Sequence, residues 1–179
     1  MELGRNIQEC HGNGCEENLN KIEAYYDLQA KLCRERSAHD GAILEVGCGK
    51  GNLLRRLSKI GSYKVGIDVS KATVNEARIN LKMERGIHLV VGTAEALPFR
   101  NETFGAIILF EVLEHLENPR RAIRKISRCL KTNGRLLSIT LNYYGLRNFV
   151  VQMTKSLKIE EKYSPPTFSI STFSEGRNF

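Results

Sequence analysis

The sequence predicts an α/β fold: a doubly wound, mostly parallel sheet with helices on both faces. Three observations carry that expectation. From Ala42 to Leu141, short apolar runs of strand length alternate with amphipathic stretches of helical spacing. The first run leads straight into Gly47, Gly49 and Gly51, three glycines within five residues. The second run ends on a carboxylate, Asp68.

Taken in order, residues 1–18 read as a flexible polar tail. Leu19, Ile22, Tyr26 and Leu32 recur at roughly helical spacing and predict a helix up to Arg36. Ala42–Val46 is apolar apart from Glu45 and predicts a buried strand; Leu53, Leu54, Leu57 and Ile60 mark the helix after it. Tyr63–Ile67 predicts a second strand, and Ser70 is a suitable N-cap for a helix carrying Val74, Ala77 and Leu81. Ile87–Val91 and Phe104–Phe110 predict the third and fourth strands. Asn118-Pro119 joins a capping side chain to a proline at the first helical position, so a helix starts there. It is expected to stop near Asn133-Gly134, before a fifth strand, Arg135–Leu141. The domain therefore runs over 19–142. Residues 143–179 form a C-terminal extension, with one helix expected at Leu146–Leu157 and the final strands missing or short.

The totals set bounds on function. No apolar run has the length of a membrane-spanning helix, and the polar N-terminus has no signal-peptide core, so a cytoplasmic protein is expected. Five cysteines, odd in number and widely spread, predict reduced thiols. Cys10, His11 and Cys15 lack a second ligand pair for a metal site. The net charge of +7 permits an acidic partner without identifying one. Arg120, Arg121, Arg124, Lys125, Arg128 and Lys131 supply much of it, opposite a stripe of Ala122, Ile123, Ile126 and Leu130, which is the pattern of a solvated helix face.

In such sheets ligands bind where the first strand turns into its helix. A dinucleotide site there requires G-x-G-x-x-G, whereas this chain has G-x-G-x-G with Asn52 at the position of the third glycine. An acid at Glu45 is also a poor neighbour for a pyrophosphate. Glu45-Val46-Gly47-Cys48-Gly49-Lys50-Gly51 instead resembles motif I of the class I S-adenosylmethionine-dependent methyltransferases, which have a Rossmann-like fold. Gly92-Thr93-Ala94-Glu95-Ala96-Leu97-Pro98-Phe99 is similar to the family segment after the third strand, and Phe110–Pro119 to the end of strand four in the methyltransferase 11 group, near the quinone-biosynthesis methylases.

The resemblance implies S-adenosylmethionine as cofactor, held by Glu45, Gly47, Gly49, Gly51, Asp68, Val69, Thr93, Ala94, Glu95 and Phe110. Asp68, 21 positions after Gly47, is placed to accept hydrogen bonds from both ribose hydroxyls, a device that dinucleotide enzymes share; a strand-ending helix cap is the plainer role for it. Thr93 stands where the family has an Asp, which gives up a charge-assisted contact and predicts weaker affinity. Gly105 likewise replaces a common Asp. His115 is the candidate base, with simple packing at a helix start as its alternative.

The expected activity is methyl transfer to a small, partly apolar molecule. With no Trp and few aromatics, the chain is poorly equipped to stack nucleic-acid bases. Glu111, Glu114 and His115 also form E-x-x-E-H, which resembles the divalent-ion site of RNA 3′-end 2′-O-methyltransferases and some quinone O-methylases. No histidine follows His115 to complete it, so no metal is assigned. The alternative to an enzyme is a protein that holds the cofactor without turnover, raised by the short stretch after Leu141. Oligomeric state is not legible.

Overall fold

A computed structural model describes residues 13–36, 41–60, 63–141, 160–163 and 168–172. The elements are α1 (Asn13–Arg36), β1 (Ala42–Val46), α2 (Asn52–Arg56), β2 (Lys64–Asp68), α3 (Lys71–Asn80), β3 (Ile87–Val91), β4 (Phe104–Phe110), α4 (Pro119–Cys129), β5 (Leu130–Leu141), β6 (Glu160–Tyr163) and β7 (Phe168–Thr172). Single 3₁₀ turns lie at Ala94–Ala96 and Leu113–His115. The seven strands are ordered β3-β2-β1-β4-β5-β7-β6. The first five pair in parallel; β7 runs antiparallel to β5, and β6 to β7.

Alternation along β1 assigns its side chains to the two faces of the sheet. Leu44 and Val46 join Ile107, Leu109 and the buried stripe of α4, which is Ala122, Ile123 and Ile126. Ile43 faces the other way, with Ala106, Ile108 and Leu137, under Ala30 and Cys33 of α1, Leu53 of α2 and Leu57 just after it. Glu45 shares the face of Ile43 and is therefore carried beneath α1. The predicted caps are present: the Ser70 hydroxyl accepts from the Thr73 amide, and the Asn118 side chain from the Arg121 amide. No helix among the described residues is long and apolar enough to cross a membrane.

Several boundaries differ from the sequence expectation. Helix α1 begins at Asn13, inside the stretch expected to be a tail. Its buried row is Gln29, Ala30 and Cys33, and Leu28 is exposed. Small side chains let the helix approach the sheet, and Arg56 ties it to the end of α2. That guanidinium is ion-paired with Glu23 and with Asp27 (2.7 Å), and it stands 5.3 Å from the centre of the Tyr26 ring. Helix α4 ends at Cys129 instead of near Asn133-Gly134. Strand β5 starts at once: Leu130 pairs with Phe104, and the register then jumps to Ala106–Arg135. Asn133 (φ 62°) thus lies in an irregularity within a strand and does not close a helix. The last two strands, expected to be missing or short, are present and short. They add an antiparallel edge whose sequence Glu-Glu-Lys-Tyr is charged, as exposed edges tend to be. The helix expected at Leu146–Leu157 lies outside the described residues.

Candidate cofactor site

The strand order reverses between β1 and β4, and the site lies at the carboxyl ends of the strands there. The amides of Gly47 and Cys48 both donate to the Ile67 carbonyl (2.8 and 3.1 Å), so the glycine loop folds over the end of β2. Gly51 (φ 80°) closes the loop, its amide donating to the Cys48 carbonyl at 2.9 Å. A Cβ at Gly51 would stand 2.5 Å from Leu81 Cδ1, so this glycine admits the end of α3. A Cβ at Gly47 would run into Val112, which follows β4.

A cavity of about 390 Å³ opens beside this loop. Of the residues expected to bind cofactor, Gly47, Asp68, Val69, Thr93, Ala94 and Glu95 line it, and the candidate base His115 stands in the same wall. Glu45, Gly49, Gly51 and Phe110 are not in its lining. Val112, Leu116 and Glu117 line it as well and were not anticipated. Val69 is 77% exposed, an apolar side chain on a ligand-facing wall.

Asp68 serves the protein as well as the cavity. Its Oδ2 accepts from the Gly49 amide (3.0 Å) and its Oδ1 from the Ser70 amide (2.9 Å). A carboxylate has about four acceptor positions, so the capacity to receive two ribose hydroxyls is retained. The Thr93 hydroxyl accepts from the Glu95 amide at 3.3 Å. Glu95 uses Oε1 to accept from the Asn118 amide (2.9 Å), which ties this segment to the start of α4.

Glu45 is the outlier. It is buried, the Leu54 amide donates to its carboxyl, and Oε2 has no partner. Burial, reinforced by the nearby Asp68 charge, pushes this carboxyl well above the usual carboxylate range. The neighbouring thiols Cys33 and Cys48 are also pushed up, by burial first and then by Glu45, which makes both poor nucleophiles.

Helix α1 contributes residues that were not singled out from the sequence. The Tyr25 hydroxyl donates to Glu111 Oε1 at 2.7 Å, across 86 residues. Burial, and then this hydrogen bond, raise the phenol far above its ordinary range. Glu111 sits just past β4 with φ 56°, a strained conformation for a residue with a side chain. Tyr25, Gln29 and Cys33 recur every four residues, one face of a helix, and that spacing was the available signal. Among the described residues no three His, Cys, Asp or Glu side chains gather as a metal site, so Glu111, Glu114 and His115 do not form one here.

The residues fit S-adenosylmethionine. Asp68 and Thr93 offer acceptors for a nucleoside and Val69 an apolar wall. Asp68 suits the ribose of either a dinucleotide or S-adenosylmethionine, and no lysine or arginine lines the cavity to meet a pyrophosphate.

Comparison with known proteins agrees. A methyltransferase-domain family model matches residues 44–138. An uncharacterized protein of Methanocaldococcus jannaschii is 34% identical over 129 residues, covering 72% of this chain and 57% of that protein. A ubiquinone biosynthesis O-methyltransferase of Parvibaculum lavamentivorans is 30% identical over 123 residues, covering 68% and 48%. The chain thus spans about half the length of the curated relatives it matches. The fold matches that of a SAM-dependent methyltransferase from Aquifex aeolicus, with a TM-score of 0.69 at 18% identity over 87% of this chain and 96% of that one. With the family model covering more than half of its residues, the chain belongs to the S-adenosylmethionine-dependent methyltransferase-domain family.

Proposed function

We propose that this protein transfers a methyl group from S-adenosylmethionine to a small, partly apolar acceptor. The observation that carries this is the cavity at the reversal of strand order, where Asp68, Val69 and Thr93 converge and neither lysine nor arginine is among the lining residues. When bound, the cofactor supplies an electrophilic methyl group on a positively charged sulfur.

The protein's own residues then have separable tasks. Asp68 accepts from the ribose hydroxyls, and Val69 and Ala94 flank the base. Thr93 is an acceptor for the adenine amino group, and Glu45, buried beneath the glycine loop and outside the cavity lining, serves the amino-acid end indirectly through that loop. His115, in the cavity wall, takes a proton from the acceptor when the attacking atom must lose one. Catalysis rests chiefly on alignment and exclusion of water, because charge is dispersed as the methyl group moves. A small acceptor is favoured over RNA by the sparse aromatic residues.

The test is calorimetry with S-adenosylmethionine, S-adenosylhomocysteine and NAD in parallel, followed by turnover on a panel of small hydroxyl, amine and thiol acceptors. Tighter binding of NAD than of the methyl donor would overturn the proposal. Binding without turnover on any acceptor would favour a cofactor-holding protein instead.

A further inference from the structure

The sheet has two edges, and they are built differently. Strand β6 closes one with Glu160-Glu161-Lys162-Tyr163, three charges in four residues. Strand β3 closes the other with Ile87-His88-Leu89-Val90-Val91, which holds no acid, lysine, arginine or proline and pairs with β2 without a bulge. Edges are commonly blunted by charge, proline, a bulge or extreme shortness, because their unpaired backbone groups otherwise recruit another strand. None of these devices is present in β3. Its side chains are uncovered as well: Val91 is 43% exposed, and Tyr63, 58% exposed, stands beside His88 with 6.1 Å between ring centres. The ladder gives the direction of the free groups. The Lys64 amide donates to the Gly86 carbonyl (2.8 Å) and the Gly92 amide to the Asp68 carbonyl (2.9 Å). Even-numbered residues here therefore turn their backbone groups toward β2, and by alternation Ile87, Leu89 and Val91 turn theirs outward. Among the described residues no strand lies on that side.

We propose that a second copy of this chain pairs with β3, antiparallel about Leu89, so that two sheets join into one across a two-fold axis. This goes beyond the function proposed above and does not depend on it. The fit identifies the occupant, because the strand matches itself. In that register Leu89 meets Leu89 and Ile87 meets Val91, and each pair exchanges both backbone bonds. The outward N–H and C=O groups of all three residues are then satisfied in each copy. Side chains agree as well: the facing pairs are apolar, and His88 meets Val90 on the other face. Charge is also complementary. Arg85 of each copy passes Gly92 of the other toward Glu95, a cation toward an acid. The two Arg85 side chains stand roughly 26 Å apart along the strands, well beyond a screening length of about 8 Å, so they do not oppose the pairing. A closed two-fold contact of this kind uses up both edges and stops at two copies.

The test is sedimentation equilibrium of the full chain from low to high micromolar concentration, with amide exchange followed by NMR at both ends of that range. A monomer–dimer equilibrium is expected. The amides of Ile87, Leu89 and Val91 are expected to exchange fast in the monomer and slowly in the dimer, whereas those of His88 and Val90, bonded to β2, stay slow in both. Val91→Lys sets an ammonium opposite Ile87 twice per dimer and is expected to weaken association at least about tenfold. A chain that stays monomeric throughout overturns the proposal. So does a dimer whose three outward amides still exchange fast, since another surface then holds it. Slow exchange of those amides in the monomer overturns it too, because the chain's own residues then cover the edge. Association unchanged in Val91→Lys refutes it as well; should that variant not fold, His88→Lys, at an exposed position opposite Val90, decides by the same criterion.

Discussion

Glu45 and Asp68 end, or nearly end, two adjacent parallel strands and meet the same glycine loop, yet they occupy opposite environments. Asp68 looks into the cavity and accepts two backbone amides, from Gly49 and Ser70. Glu45 is roofed by α1, accepts the Leu54 amide and keeps one oxygen unpaired. The same functional group is thus an open, hydrogen-bonded acceptor on one strand and a desolvated acid on the next. What separates them is a strand pleat and a covering helix. One acid lines the cavity with two backbone amides on it, and the other is buried with one oxygen unpaired.

The loop between the two acids offers the most forceful way to break this contrast. Gly51→Ala must accommodate φ 80° and push against buried Leu81. A loss of about 2–4 kcal/mol in folding stability is expected from left-handed strain plus overpacking. Gly49→Ala, which meets nothing within 4 Å, should cost clearly less. Denaturant melts that rank the two variants equally would refute packing as the role of Gly51.

Next comes Asp68→Ala, which isolates the open acid. Losing hydrogen bonds to a charged acceptor should weaken cofactor binding by roughly 1.5–3 kcal/mol, read as the dissociation constant of S-adenosylhomocysteine. Unchanged affinity would remove Asp68 from the site.

Glu45→Gln sharpens the other side through stability. A carboxyl whose proton is held more tightly in the folded state stabilises that state at low pH, and the contribution is lost as pH rises toward the folded value. The amide resembles the neutral acid and cannot ionise. Ligand-free Glu45→Gln should therefore match the wild type in acid and exceed it progressively as pH rises, read as a gap in Tm that widens with pH. A gap between the two melting curves that does not change with pH would show that Glu45 titrates normally.

The smallest effect expected is that of Tyr25→Phe, which removes one half-buried hydrogen bond to Glu111 and keeps the ring. A loss of roughly 1 kcal/mol is predicted, with the affinity for S-adenosylhomocysteine little altered because Tyr25 is outside the cavity lining. A large drop in cofactor affinity would show that α1 reaches the cofactor and does more than roof Glu45.

The sequence by itself determined the parallel order of alternating elements, the capped starts of α3 and α4, the span of β4 and the acids and glycines at the strand ends. These are local properties: period, turn chemistry and capping act over a few residues and are written in neighbouring letters. Only the tertiary structure decided the rest. The seating of α1 involves Arg56, a partner some thirty positions away, and its fully buried side chains are Gln29, Ala30 and Cys33, with Tyr26 of the helical stripe packed partly buried against the same core. Strand β5 ran back to Leu130 because β4 offered it hydrogen bonds, which overrode the turn signal at Asn133-Gly134. The weakly patterned β6 and β7 became strands because β5 had a free edge. The difference between Glu45 and Asp68 belongs with these, since burial is decided by whatever covers a residue, and the cover came from the way α1, the helix just before β1, packs onto the sheet.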